Sequence, residues 1–152
     1  MRLLGILLTL CCMAVPLSSS AGSRGTPAEA KALLDKAVAH YSAAGRTQAL
    51  ADFTAGKPPF RDRDLYVVCI ASDHSISANG AFPQYVGMAA DILKDASGKP
   101  LGRAIVESVA TKTEGTVSYM MMNPMSGKVE PKVLYAQKMS GDVCGVGAYN
   151  GN

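Results

Sequence analysis

The fold is decided by the stretch Leu65-Tyr66-Val67-Val68-Cys69-Ile70-Ala71, where the spacing of the apolar residues changes. This run is rich in β-branched residues and carries no charge, so it predicts a strand that is buried on both faces. Before it, apolar residues recur at helical spacing. After it, short β-type segments predominate. The chain is therefore predicted to be an α+β protein.

The segment upstream of this strand predicts two helices. Thr26 is a suitable N-cap, Pro27 fits the first helical position, and Glu29 can complete a capping box. Gly45 supplies the stop for this first helix, and Thr47 is expected to cap a shorter second helix that ends at 56–59. The apolar stripe of the first helix consists of Leu33, Leu34, Ala37, Val38 and Tyr41.

The downstream segment predicts four more strands and a third helix. A short strand at 76–79 is followed by a long connection at 80–91, and Pro100 opens a helix with one apolar face. Five strands with a helix inserted after the second indicate an antiparallel sheet covered on one face. The last three strands are expected at 116–122, at 128–138 with an interruption at Pro131, and at 143–149.

The N-terminus has the pattern of a cleavable export signal. Arg2 precedes an uncharged apolar run at 3–15, and Ser19 and Ala21 are the small residues that a signal peptidase requires. We therefore expect a signal peptide at 1–21 and a single domain at 22–152, which is periplasmic or secreted. A permanent membrane helix is the weaker interpretation, because the run is shorter than the roughly 20 residues that span a bilayer. A lipoprotein signal is a further alternative.

Composition excludes several classes of protein. The 152 residues are 48% hydrophobic, enough for one domain with a core, and the net charge of +3 comes from scattered residues. No basic stripe is present, so nucleic-acid binding is not expected. Of the four cysteines, Cys69 and Cys144 lie outside the predicted signal. They could form a disulfide in an exported protein or remain two inert buried thiols.

Few residues in the chain support catalysis. The two histidines, His40 and His74, lie in a predicted helix and a predicted turn and do not resemble a metal-ligand pair. The segment 22–152 contains none of the common nucleophile, phosphate-binding or zinc motifs. Gly145-Val146-Gly147 is too short for a phosphate loop and is interpreted as close packing of a helix on a strand. We predict no enzymatic activity, no cofactor and no metal.

Polar and aromatic side chains are concentrated between Tyr119 and Tyr135. Lys132 beside tyrosine hydroxyls would suit a small carboxylate, because both groups donate hydrogen bonds to an anion. Lys132 and Tyr135 are three residues apart, so only a bulge near Pro131 would place them on one face. By spacing alone, a solvated strand lysine with core tyrosines is the better interpretation.

The segment 22–152 resembles a single Cache domain, the extracytoplasmic sensor module of many bacterial chemoreceptors and histidine kinases. No single stretch is specific for this family, but the order of the stretches over about 120 residues is specific. The stretches that carry the resemblance are Ala30-Lys31-Ala32-Leu33-Leu34, Gly45-Arg46, Ala49-Leu50-Ala51-Asp52-Phe53, Asp64-Leu65-Tyr66-Val67, Phe82-Pro83, Val86-Gly87, Lys94-Asp95, Gly98-Lys99-Pro100, Gly115, Tyr119, Asn123-Pro124, Gly127-Lys128-Val129-Glu130-Pro131-Lys132, Tyr135 and Gly145-Val146-Gly147-Ala148-Tyr149.

The resemblance implies a long N-terminal helix packed on a PAS-like five-stranded antiparallel sheet, with the first and last strands as central neighbours. That arrangement favours a Cys69–Cys144 disulfide. It also implies a pocket between the sheet and the 80–91 connection, which binds a small organic acid with Lys132 as the charge partner. The residues expected to line this pocket are Tyr66, Tyr85, Tyr119, Met121, Asn123, Lys132 and Tyr135.

Two departures from the family pattern affect the expected function. A tryptophan is common in the family where Met121 stands, so the identity of the ligand does not carry over. The chain also ends just after the last strand, which predicts a standalone module that acts through a partner such as a membrane receptor or kinase. The alternative is a non-catalytic interaction module with a vestigial pocket, which uses the face of its N-terminal helix for homodimerisation. Exposure of the run Met120-Met121-Met122 would favour that alternative.

Overall fold

The first helix begins at the predicted capping box. In the structure, a computed structural model that describes residues 24–150, α1 spans Pro27–Ala44. The Thr26 hydroxyl accepts a hydrogen bond from the Glu29 amide, and the Glu29 carboxylate accepts one from the Thr26 amide. These bonds satisfy amides that the first turn of a helix leaves without partners. The signal peptide predicted at 1–21 lies outside the described residues.

The second helix, α2, spans Arg46–Ala55, and only Gly45 separates it from α1. Gly45 is its N-cap, so the prediction that Thr47 caps it is wrong. The Gly45 backbone has φ +81°, a conformation that glycine adopts without steric cost, and it allows the chain to turn within a single residue. Gly56, also at positive φ, ends α2 by donating to the Phe53 carbonyl.

Within residues 24–150, the strands form one antiparallel sheet of six. They are β1 (Arg61–Asp62), β2 (Leu65–Ala71), β3 (Ile76–Asn79), β4 (Glu114–Asn123), β5 (Lys128–Lys138) and β6 (Asp142–Tyr149). Five of them were predicted, and the sixth, β1, is a two-residue strand that pairs with the start of β2. The order across the sheet is β3–β2–β6–β5–β4, so the first long strand and the last strand are central neighbours.

Strand β5 runs through Pro131 without the predicted interruption. Its pairing with β4 is continuous, and its pairing with β6 starts at Lys132 opposite Tyr149. Pro131 therefore lies just before the β5–β6 ladder begins, where a missing amide N–H costs least. The unbroken register rules out the bulge that Lys132 and Tyr135 would need to share a face.

Helices cover both faces of the sheet, and not one face as the element order predicted. Helices α1 and α2 pack on the face that carries Cys69, Cys144 and Val146. Helix α3 (Leu101–Ser108) packs on the opposite face, where its buried Ile105 joins a second apolar cluster. The connection between β3 and α3 includes two short 3-10 helices, Pro83–Tyr85 and Ala90–Ile92.

Two cross-links hold the helices and central strands together. Cys69 and Cys144 face each other on β2 and β6 and are joined by a disulfide with both side chains buried. Asp142, at the start of β6, accepts hydrogen bonds from Tyr41 of α1 at 2.6 Å, from Arg46 of α2 at 2.8 and 3.0 Å, and from Ser77 of β3. Its carboxylate therefore links three elements to the central strand.

Candidate functional site

A glycine on the central strand makes room for the polar groups of the site. A Cβ atom at Gly147 of β6 would lie 2.5 Å from the Tyr119 hydroxyl oxygen and 3.7 Å from Cε of Lys132. Tyr119 and Lys132 face each other across β4 and β5, and Lys132 faces Tyr149 across β5 and β6. Because Gly147 has no side chain, these groups converge over the centre of the sheet. The expectation that this glycine marks close packing of a helix is therefore wrong.

A cavity of about 240 Å³ lies over this point, between the sheet, α3 and the β3–α3 connection. None of its lining residues is an aspartate or a glutamate. Most of its wall is apolar, and the polar groups are two lysines, an asparagine and three tyrosines. The lining residues are Tyr66, Val68, Asn79, Phe82, Tyr85, Ile92, Leu93, Lys94, Leu101, Ile105, Tyr119, Met121, Lys132, Leu134 and Gly147.

Lys132 supplies a buried positive charge to this cavity. Its residue exposure is 5%, and its ammonium lies 4.2 Å from the ring centroid of Tyr149 and 5.9 Å from that of Tyr66. Within residues 24–150, no carboxylate lies within ion-pair distance of it. Burial lowers the pKa of Lys132, and the charge of Asp64 partly offsets this effect. The two aromatic faces are only a partial substitute for an anionic partner.

The tyrosine hydroxyls are potential donors to an anion in the cavity. Burial raises the pKa of Tyr66 and that of Tyr119, so both hydroxyls keep their protons at neutral pH. Neither hydroxyl makes a hydrogen bond within the described part of the chain. Burial also raises the pKa of Tyr149, to about 12, but its hydroxyl already donates to the Met122 carbonyl at 2.7 Å. Tyr66 and Tyr119 are therefore tyrosines of the sheet whose protonated hydroxyls are available to a ligand.

The β3–α3 connection builds the open side of the cavity. Asn79, at the end of β3, is buried and accepts hydrogen bonds from the Ala81 and Phe82 amides at 3.1 and 2.8 Å. These bonds fix the Phe82 ring, which stacks on Tyr85 at 5.5 Å and meets the Tyr66 ring edge-on at 6.3 Å. Phe82 is 43% exposed, so it lies where the cavity meets solvent.

The structure brings five of the seven predicted pocket residues to this cavity. Tyr66 lies on β2, Tyr119 and Met121 on alternate positions of β4, Lys132 on β5, and Tyr85 in the connection. The alternation of side chains along β4 explains why Tyr119 and Met121 line the cavity together.

Asn123 and Tyr135 lie elsewhere. The Asn123 amide donates to Glu130 at 2.9 Å, and its oxygen accepts from the Met125 amide, so it organises the β4–β5 hairpin. Tyr135 packs with the α1 side of the sheet, because it lies three positions after Lys132 on a regular strand and an odd offset reverses the face. Neither residue is among those that line the cavity.

Sequence reasoning missed most of the apolar wall and two polar residues. Leu101 and Ile105 were predicted on the apolar face of α3, but nothing in the sequence indicated that this face closes a cavity. Asn79 and Lys94 were not predicted to line the pocket. Asn79 only ends a short predicted strand, and Lys94 was noted only in the Lys94-Asp95 stretch of the family resemblance.

Two further properties of the described residues bear on function. Within residues 24–150, no group of three or more His, Cys, Asp or Glu side chains is placed to hold a metal ion. None of the helices in the same range combines the length and the apolar character needed to cross a bilayer.

The fold and cavity together define a class of protein. An antiparallel sheet whose five longer strands follow the order β3–β2–β6–β5–β4, with a long N-terminal helix on one face and a cavity on the other, is a PAS-like arrangement. The family model described as Single Cache domain 2 matches residues 18–150. The chain therefore belongs to the single Cache domain family, a class of ligand-sensing modules.

Solved structures with the same fold include three chemosensory proteins. A methyl-accepting chemotaxis protein from Vibrio parahaemolyticus RIMD 2210633 superposes with a TM-score of 0.64 at 19% identity, over 80% of this chain and 86% of that one. The periplasmic sensor domain of a chemotaxis protein gives 0.58 at 22% identity, over 82% and 90%. A Cache chemosensory domain, described for its carboxylic acid recognition, gives 0.57 at 20% identity, over 82% and 88%. No curated protein matches the chain.

Proposed function

We propose that this domain is an exported sensor module that binds a small organic carboxylate in the cavity over Gly147 and passes the binding event to a partner protein. The observation that carries the proposal is the buried Lys132 ammonium, which lines a cavity without an acidic residue. An anionic ligand would give this ammonium the partner that it lacks within residues 24–150. A desolvated charge-assisted hydrogen bond is among the stronger polar interactions available to a ligand.

The size of the cavity supports a small ligand. Its volume of about 240 Å³ is below the roughly 300–1,000 Å³ of sites for drug-sized molecules. In the proposed complex, the carboxylate accepts hydrogen bonds from Lys132, Tyr66 and Tyr119, and the apolar remainder contacts Leu101 and Ile105 of α3. The carboxylic acid recognition described for one structural relative agrees with this ligand class.

A thermal-shift screen of mono- and dicarboxylates tests the proposal. A ligand at about 100 times its Kd stabilises the fold by about 2.7 kcal/mol, which is easily measured. We expect stabilisation by a small carboxylate such as propionate and none by propionamide, its uncharged analogue. Lys132→Met should abolish the effect, and Lys138→Met, an exposed position on the same strand, should leave it intact. Equal stabilisation of the Lys132→Met and wild-type proteins would refute the proposal.

The second candidate function is that of an interaction module, and one observation favours it. Met120 and Met122 are 38% and 53% exposed on β4, and Met122 lies opposite the exposed Val129 of β5. Contiguous exposed apolar side chains often mark protein contacts. If this strip is a contact, then Met120→Ser with Met122→Ser should change the oligomeric state in light scattering. An unchanged mass, together with a carboxylate hit in the screen, would reject this candidate.

A further inference from the structure

Asp64, in the turn before β2, has an unusual environment. Its Oδ1 accepts a hydrogen bond from the Gly25 amide, at the entry to α1. Its Oδ2 is buried, and no group within residues 24–150 donates a hydrogen bond to it. A buried acceptor without a partner costs about 1–3 kcal/mol, so a specific reason for its presence is required.

The sheet register places Asp64 in line with Lys132. β2 and β6 pair with Val67 opposite Val146, and continuing this register to the start of β2 brings Asp64 level with Tyr149. Tyr149 is in turn opposite Lys132 on β5. This extrapolated register places Asp64 beside Tyr149, with Lys132 on the other side of Tyr149, and the charge of Asp64 acts on both of these residues.

We infer that Asp64 is the internal counter-ion of the Lys132 ammonium in the empty cavity, and that an entering carboxylate takes over this role. The second half of the inference rests on the proposed function, and the first half does not. The pair acts through space, because the two groups are too far apart for a direct ion pair.

A second carboxylate near Tyr149 is that of Glu130, two positions before Lys132 on β5, and it is paired with Arg24 at 2.7 Å. The hydroxyls that reach Lys132 from the sheet are phenols whose pKa values are raised, so they are neutral below pH 10, and the connection contributes a lysine. In the described part of the chain, the charge that opposes the effect of burial on the pKa of Lys132 is that of Asp64. The facing groups are Tyr66 on β2, Tyr119 on β4, Tyr149 on β6 and Lys94 in the connection.

The hydrogen bond between Asp64 and Gly25 connects the Asp64–Lys132 pair to the start of α1. Gly25 directly precedes Thr26, the N-cap of α1. A ligand carboxylate beside Lys132 would repel Asp64, the residue that holds this entry to the helix. The occupancy of the cavity would therefore act on the start of α1 through a single carboxylate.

The first experiment needs no ligand. The protonation of Lys132 is followed by NMR of lysine-labelled protein as a function of pH, in wild type and in Asp64→Asn. The asparagine oxygen can still accept from Gly25, so only the charge is removed. We expect the affinity of Lys132 for its proton to fall about two- to tenfold. Asp62→Asn, an exposed position in the same hairpin, should leave it unchanged.

If the pH titration of Lys132 is the same in Asp64→Asn as in wild type, the counter-ion role is overturned. Loss of a merely structural role of Asp64 would not change this titration. If Asp64→Asn does not fold, Asp64→Ser supplies a second neutral acceptor for the same comparison.

The second experiment measures propionate binding to wild type and to Asp64→Asn at pH 6, because a low pH favours the protonated form of Lys132. Asp64→Asn should bind propionate about three- to tenfold more tightly than wild type, because the ligand is no longer repelled by a resident carboxylate. Equal or weaker binding would overturn the exchange of counter-ions. If Asp64→Asn changes the pH titration of Lys132 but propionate binds to neither protein, then the counter-ion role stands and the proposed carboxylate function fails.

Discussion

Replacement of Gly147 by alanine tests whether the glycine creates the site. The added Cβ atom would lie 2.5 Å from the Tyr119 hydroxyl oxygen. Because favourable contacts between heavy atoms are about 3.5–4.0 Å, the hydroxyl must retreat by roughly 1 Å. Overpacking of this kind costs about 1–3 kcal/mol of folding free energy. The loss of one ligand hydrogen bond, worth about 0.5–1.5 kcal/mol, should weaken carboxylate binding about three- to tenfold.

Urea denaturation would give the stability of Gly147→Ala, and titration calorimetry with propionate would give its affinity. The matched control is Gly115→Ala, because a Cβ atom there would contact the Ser108 carbonyl, outside the cavity lining. Both variants should be destabilised, but only Gly147→Ala should bind more weakly. If both variants retained wild-type affinity, then the Tyr119 hydroxyl would not contact the ligand. If Gly147→Ala were as stable as wild type, the close approach at Gly147 would be refuted.

Three further predictions concern the charges and cross-links of the fold. Removal of the disulfide by Cys69→Ala with Cys144→Ala should cost about 4.5 kcal/mol on the chain-entropy estimate for a separation of 75 residues, measured by urea denaturation. Without ligand, Lys132→Met should be more stable than wild type at pH 7, because burial lowers the pKa of Lys132 and the folded state therefore disfavours its charge. Wild type should recover this difference as the pH rises from the folded-state pKa towards 10.5, the unfolded value. Asp142→Ala should cost about 1–3 kcal/mol, because it leaves the buried Tyr41 hydroxyl without its acceptor.

Each of these predictions has an outcome that would contradict it. If the double cysteine variant loses less than about 1 kcal/mol of unfolding free energy, the chain-entropy estimate for this disulfide is contradicted. A Lys132→Met protein that is less stable than wild type at pH 7 would mean that the lysine is stabilising without a ligand. The control for Asp142 is Asp35→Ala, which removes an exposed carboxylate paired with Lys31, and an equal loss at both positions would refute the cross-link.

The secondary structure was largely predictable because the period of the apolar residues changes cleanly. The bounds of β2 and β3 agree with the predicted ones, and the capping box placed the start of α1 correctly. The covering of the second face of the sheet by α3 was harder to predict. The apolar face of α3 was visible in the sequence, but the sequence does not state which side of the sheet it covers.

The site was only partly predictable, and the reasons are geometric. Alternation along a strand could group Tyr119 with Met121, but the register between strands brings Lys132 opposite Tyr119. Tyr135 was misplaced because the expected bulge near Pro131 does not occur. The role of Gly147 depends on a side chain from another strand, which no local pattern reveals.

The central claim is that the buried Lys132 ammonium binds a carboxylate, and NMR of lysine-labelled protein tests it directly. Propionate and propionamide are titrated into wild-type protein while the signals of Lys132 and the exposed Lys138 are followed. We predict that propionate shifts the Lys132 signal in a saturable manner and raises the pKa of this lysine, and that propionamide and the Lys138 signal show no such effect. Saturable binding of propionate that leaves the Lys132 signal unchanged would contradict the claim.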